Sequence, residues 1–200
     1  KYIDEKKMKK STLLIKLLSM LAIAVIAFSV LPAAPAQAAA TSLEDFAASM
    51  NKGDSSKLVG VFVNNIMAVK VVQQSSDSYV STASGTVTQF GIANQYGSIG
   101  LLAHNYLSGG NFSRLGSGSE IYLVYGDGSI KKYQVSSVKK YQALSPTDPY
   151  SNFVNLDNPD TTLSSSDLFN ETYGQSGKLV LQTCISKNGQ SSWGRLFIIA

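Results

Sequence analysis

The chain has 200 residues, a formal net charge of +4, and one cysteine, one histidine and one tryptophan. A single cysteine excludes an internal disulfide framework, and no His or Cys spacing suits a metal centre, so neither metal nor cofactor is expected. Nor does charge argue for a nucleic-acid partner: six of the 17 basic residues and two of the 13 acidic ones precede Ala38, leaving 11 of each beyond it.

Residues 1–38 read as an export signal. "KKMKKSTLLIK" is a basic segment, "LLSMLAIAVIAFSVL" an uncharged apolar run, and Ala36-Gln37-Ala38 a small-x-small cleavage site. Met8 is the expected initiator. The apolar run, Leu17 to Leu31, falls short of the roughly 20 residues that a spanning helix needs. Two outcomes stay open. Cleavage would leave an extracellular or cell-surface domain, and retention would tether it to the membrane through this segment, the one membrane contact expected.

Residues 39–57 form a polar lead-in, in which "SLEDFAASM" is expected to be a short helix capped by Ser42. The remainder, 58–200, suits one domain with one core. "LVGVFVNNIMAVKVVQQ" and "YVSTASGTVTQFGIA" have strand composition, and "SIGLLAHNYL" is an apolar run that contains His104. Asp127-Gly128, between two β-patterned runs, predicts a hairpin with both turn residues at positive φ. The two "KKY" stretches, at Lys131 and Lys139, read as solvated strand faces. Between 144 and 177 the pattern breaks into a Pro-, Asn-, Asp- and Ser-rich stretch with one short helix at "SSSDLFN". Its length suggests a loop that serves a site. "KLVLQTCI", the turn "SKNGQSSWG" and "RLFIIA" close the chain. The fold class expected is all-β: a closed or nearly closed barrel with short helices and one long decorated loop.

Beyond the signal, Cys184 and His104 are the lone residues of their kinds, and arginine occurs twice, as Arg114 and Arg195. The thiol is a buried inert group, half of an intermolecular disulfide, or a nucleophile. As a nucleophile it needs a nearby base or positive charge, and His104 is the one imidazole available.

The order of motifs adds a resemblance. Gly100-Leu101-Leu102-Ala103-His104-Asn105 is followed by Phe112 and Leu115, then Gly118, Ile121 and Leu123. Leu179, Leu181, Thr183-Cys184 and Arg195 come last. This set, spanning 58–200, resembles the sortases, the bacterial cell-surface cysteine transpeptidases. The resemblance implies a sortase-like β-barrel in which Cys184 attacks a peptide carbonyl to form a thioester. His104 would protonate the leaving amine and deprotonate the incoming one, and Arg195 would hold the substrate and its oxyanion. Asn105, Thr183 and Trp193 are the expected substrate contacts, with surface packing beside the Cys-to-Arg turn as the alternative for Trp193. The implied partners are a sorting-signal peptide of a surface protein and an amine acceptor, such as a peptidoglycan or pilin amine, or water. Asn105 stands where several sortase groups carry Thr, Arg or Ser, which leaves the subclass open.

Two other readings remain. An L,D-transpeptidase-like peptidoglycan enzyme also uses Cys and His on a β fold, but its arginine lies almost beside the cysteine, whereas here ten residues intervene. A non-catalytic secreted binding module of the same fold would need none of the three polar residues.

Overall fold

A computed structural model of the protein describes residues 41–200; the export signal read over 1–38 lies outside them. The described part opens with α1 (Leu43–Met50), whose N-cap Ser42 Oγ accepts from the Asp45 amide at 3.0 Å, with Glu44 and Asp45 in the first turn. Two strands follow, β1 (Asp54–Val63) and β2 (Met67–Gln73), then β3 (Thr86–Phe90), the short helix α2 (Gly91–Gln95) and β4 (Ile99–Leu102). A 3-10 helix covers Ser108–Arg114. Next come β5 (Glu120–Gly126), β6 (Ile130–Gln134), β7 (Ser137–Ala143), β8 (Phe153–Asn155), β9 (Thr162–Leu163) and α3 (Ser165–Tyr173). The chain ends with β10 (Leu179–Lys187) and β11 (Gln190–Ile199).

Among the described residues these eleven strands make one sheet, ordered β6-β5-β1-β2-β3-β4-β10-β11-β7-β8-β9. It curls until β6 and β7 approach each other, but they do not pair. The chain itself crosses the gap through Val135-Ser136, and the Ser136 amide and hydroxyl both donate to the Ile199 carbonyl, at 2.8 and 3.0 Å. The all-β, nearly closed architecture is thus present, and the fully closed barrel is not.

Alternation along the strands sorts the side chains. Val61, Leu101, Leu123, Leu179, Leu181 and Ile198 point inward and are completely buried. Removal of such a side chain from water is worth about 1.5–3 kcal/mol. Two helices cover parts of the outer surface. On α1, Phe46 lies against Phe62 and Val124 and above Gly60, where any Cβ would come within 2.8 Å of its ring. On α3, Leu168 and Tyr173 pack on Val180, Phe197 and Tyr141.

Several local expectations change. β1 begins at Asp54, inside the stretch read as lead-in. "QFGIA" leaves the strand pattern at Gly91 and forms α2. In the β5–β6 hairpin only Gly128 has positive φ (83°); the Gly128 amide bonds to the Tyr125 carbonyl at 2.9 Å, a turn followed by a left-handed glycine. The final turn is only Asn188-Gly189, at φ 52° and 77°, so β10 and β11 run through most of "SKNGQSSWG". The stretch 144–177 is less irregular than its composition suggests, since β8 and β9 extend the sheet and α3 reaches Tyr173. The second "KKY" is not a solvated face. Tyr141 is fully buried, and its hydroxyl and Lys139 Nζ both donate to Glu171 Oε1, at 2.7 and 2.6 Å, clasping α3 to β7.

Candidate active site

β10 lies between β4, to which it runs parallel, and β11, its hairpin partner. Central position gives both flanks of β10 hydrogen-bonded neighbours, so its side chains are held at fixed heights. Cys184 faces Arg195 directly across the β10–β11 ladder, and Arg195 faces Tyr141 on β7. Residues that are direct cross-strand partners share a face, so all three stand on the outer surface of the sheet.

His104 lies just past β4, the other neighbour of β10. Leu102 pairs with Gln182 in the parallel register, and the Ala103 amide extends the ladder to the Gln182 carbonyl at 3.2 Å. The strand register ends at the Leu102–Gln182 pair, and His104 follows two residues on, in the segment that leaves β4. Its ring stacks on Tyr106, with centroids 5.1 Å apart and planes 18° apart.

Below the row, the corner is built tightly. Thr183 Oγ1 donates to the Ala103 carbonyl at 2.8 Å, joining β10 to the end of β4. The His104 carbonyl accepts from the amides of Leu107 and Gly109, at 3.0 and 3.1 Å. Gly109 fits under this knot because it has no side chain: a Cβ there would lie 2.4 Å from Thr183 Oγ1 and 2.7 Å from the carbonyl oxygens of both Ala103 and His104. Asn105 Nδ2 donates to Ser186 Oγ at 2.6 Å and to the Ser191 carbonyl at 2.9 Å, fastening the histidine loop to the β10–β11 hairpin.

Arg195 is oriented by carbonyls. Its Nη1 donates to Ser192 and Gly194 at 2.9 and 3.0 Å, its Nη2 to Pro146 at 3.3 Å, and its guanidinium carbon lies 5.8 Å from the Phe153 ring centroid. No carboxylate pairs with it among the described residues. Its charge is therefore directed by neutral dipoles and is not cancelled by an acid.

Beside Arg195 a groove of about 440 Å³ opens on the outer face, lined by Phe90, Phe153, Leu168, Tyr173, Gln182 and Phe197 among others. It continues into a wider section of about 690 Å³ with Ile92, Tyr96 and Tyr150, sharing Phe90, Pro149 and Phe169 with the first. A separate cavity of about 510 Å³ touches Cys184 together with Thr183, Ile185, Lys140 and Leu196. Thr183, Ile185 and Leu196 belong to the inward-facing set, whereas Cys184 alternates with Thr183 and Ile185 and shares a face with Arg195. Arg195, but neither Cys184 nor His104, lines the outer groove.

The wall of that groove is α3, and the Lys139–Glu171–Tyr141 clasp holds it. Burial pushes the Glu171 carboxyl up, but hydrogen bonds from Lys139 and Tyr141 outweigh it and hold the group below the usual glutamate value.

The sequence-derived residues thus divide by face. Cys184 and Arg195 are direct cross-strand partners, and His104 follows the end of β4, the parallel neighbour of β10. Thr183 is buried, with its hydroxyl engaged at Ala103, and Asn105 is engaged at the hairpin. Trp193 is half-exposed near the hairpin tip, with Lys187 Nζ 4.5 Å from its ring centroid. Sequence reading passed over Tyr106, Gly109 and the Tyr173–Gln182 hydrogen bond. The Gly109-Gly110 pair was the one visible signal among these, as a turn marker just after the histidine.

No family model matches the chain, and no curated protein matches it in sequence. Among solved structures it is similar in fold to sortases. Streptococcus agalactiae sortase C1 is 17% identical over 70% of this chain and 64% of that one, with a TM-score of 0.47. Actinomyces oris sortase C-1 is 13% identical over 77% and 76%, with a TM-score of 0.49. Clostridium perfringens sortase D5 transpeptidase is 14% identical over 72% and 77%, with a TM-score of 0.45. The chain therefore spans less than two thirds of the streptococcal protein.

Proposed function

We propose that this protein is a sortase-like cysteine transpeptidase acting on exported peptides at the cell surface. The observation that supports the reading is the direct cross-strand pairing of Cys184 with Arg195, with His104 just past the end of β4, the parallel neighbour of β10.

In the reaction, the Cys184 thiolate attacks the carbonyl carbon of a peptide bond. The oxygen takes up negative charge, and the Arg195 guanidinium, which no carboxylate pairs with among the described residues, stabilises it. Collapse breaks the C–N bond, the leaving amine takes a proton from His104, and the acyl group stays on sulfur as a thioester. A second amine then gives its proton to His104 and attacks the thioester, which releases the new amide and restores the thiolate beside the reprotonated histidine; water in its place gives hydrolysis. The acyl donor would be a sorting-signal peptide and the acceptor a peptidoglycan or pilin amine. The 1–38 segment would supply export, with Thr183, Asn105 and Trp193 supporting the site around the substrate.

The test is mass analysis of the purified domain after incubation with a library of candidate signal peptides. An adduct on Cys184 matching the acyl half of a peptide is expected. Cys184→Ala should keep the fold, read by circular dichroism and Tm, and lose the adduct and all turnover. Turnover retained in that variant would remove the mechanism.

A further inference from the structure

The loop that carries His104 is pinned at its backbone and left free at its ring. The Leu107 amide donates to the His104 carbonyl at 3.0 Å, which closes a turn with Asn105 and Tyr106 at its centre. The Gly109 amide donates to the same carbonyl at 3.1 Å, and Asn105 Nδ2 ties the turn to Ser186 and Ser191. The imidazole itself makes no hydrogen bond and no ion pair among the described residues, and its nitrogens are not sealed from solvent. What faces it is Tyr106, two residues on, its ring centroid 5.1 Å away and its plane within 18° of parallel. Tyr106 is 69% exposed and belongs to none of the apolar clusters, so burial does not account for where its ring lies. The stack does.

Two ways of holding an imidazole differ in what they leave free. A hydrogen bond to a carboxylate fixes one tautomer and occupies one nitrogen. A stacked face fixes the plane of the ring and occupies neither. An offset, near-parallel pair of rings at this distance is attractive, and the contact survives protonation because a ring face also attracts a cation. In the proposed reaction His104 gives a proton to the leaving amine and takes one from the incoming amine. It therefore needs a fixed plane and an open nitrogen at both steps.

We propose that Tyr106 is the positioning residue for His104, its ring face doing for the imidazole plane what a hydrogen-bonded carboxylate does in a catalytic triad. The inference rests on the transpeptidase reading of the site. Tyr106 touches the histidine and takes no part in the bonds that form or break. Its hydroxyl is not required. The flat face is.

The experiment compares Tyr106→Leu and Tyr106→Phe with wild type by proton NMR and by turnover of a peptide that acylates Cys184. The chain has one histidine, so its imidazole C–H resonances are unambiguous. In wild type they should lie upfield of free histidine, shielded by the tyrosine face. In Tyr106→Leu they should move downfield, kcat should fall about tenfold, and KM and Tm should hold. Tyr106→Phe keeps the face and should restore both the resonances and kcat, the latter to within about twofold of wild type. Unshifted resonances in Tyr106→Leu, or an unchanged kcat, would overturn the assignment. So would a loss in Tyr106→Phe as large as in Tyr106→Leu, which would move the role to the hydroxyl, or a rise in KM alone, which would make Tyr106 a substrate contact. If no peptide acylates Cys184, the transpeptidase reading falls and takes the positioning role with it, while the resonances still judge the stack. Acylation that ignores the residue at 106 removes this inference alone.

Discussion

Two hairpins of this chain use nearly the same local code and end up with different tasks. β5–β6 turns at Asp127-Gly128 and β10–β11 at Asn188-Gly189, each with a glycine near φ 80°. β6 is an edge of the sheet, and its outer face is laced by charge: Lys132 pairs with Glu120, which also accepts from the Tyr122 hydroxyl at 2.6 Å. β10–β11 sits between β4 and β7, with a paired strand on either flank. There the flanking strands set Cys184 opposite Arg195 and Arg195 opposite Tyr141. What a hairpin holds in place depends on its neighbours, and the turn residues do not distinguish the two cases.

The contrast breaks most sharply at Arg195. Arg195→Lys keeps the charge but loses the planar donor set that spans the Ser192, Gly194 and Pro146 carbonyls and that the proposed mechanism uses to hold the substrate oxygen. Steady-state turnover should fall on the order of 100-fold or more, with Tm little changed. Turnover within about threefold of wild type would make Arg195 a structural cation.

A smaller effect separates the glycine at the site from the glycine at the edge. Gly109→Ala drives a methyl into Thr183 Oγ1 and two backbone carbonyls, which cannot retreat without moving His104. It should cost about 1–3 kcal/mol by chemical denaturation and lower acylation of Cys184 as well. Gly128→Ala meets nothing closer than Asn51 Nδ2 at 3.2 Å and carries only the strain of positive φ. It should cost about 1 kcal/mol and leave acylation untouched. Equal effects on acylation would show that the corner beneath His104 does not position it.

The smallest effect belongs to the edge hairpin's ion pair. Glu120→Gln removes an exposed, solvent-screened contact. Neither Tm nor turnover should change beyond experimental error, and a clear loss of either would mean that the edge hairpin supports the barrel more than its exposure implies.

Much of this arrangement was legible before any coordinates. Val- and Ile-rich alternation marks strands because a strand with one buried face must alternate, and it located β1, β2, β5, β10 and β11 within a few residues. Ser42 and the acids after it announced α1 through purely local capping. Cys184, His104 and Arg195 stood out through rarity and order along the chain, which are properties of the sequence. Gly91–Gln95 escaped because a helix of five residues has too little period to read. The clasp of Lys139 and Tyr141 on Glu171 escaped because strand patterning describes a face, and here a distant helix covers it.

The sequence by itself determined which residues are candidates for chemistry, which segments are strands, and where the helix α1 starts, since each depends on residue type and neighbours within a few positions. The tertiary structure decided that the sheet stays open between β6 and β7, that Thr183 and Cys184 serve opposite faces, and that Gln182 is turned by Tyr173 toward the groove. Those outcomes depend on the register between β4 and β10, strands joined by more than 70 residues of intervening chain. A shift of one residue in that pairing would change which side chains of β4 share a face with Cys184, and no local pattern carries that choice.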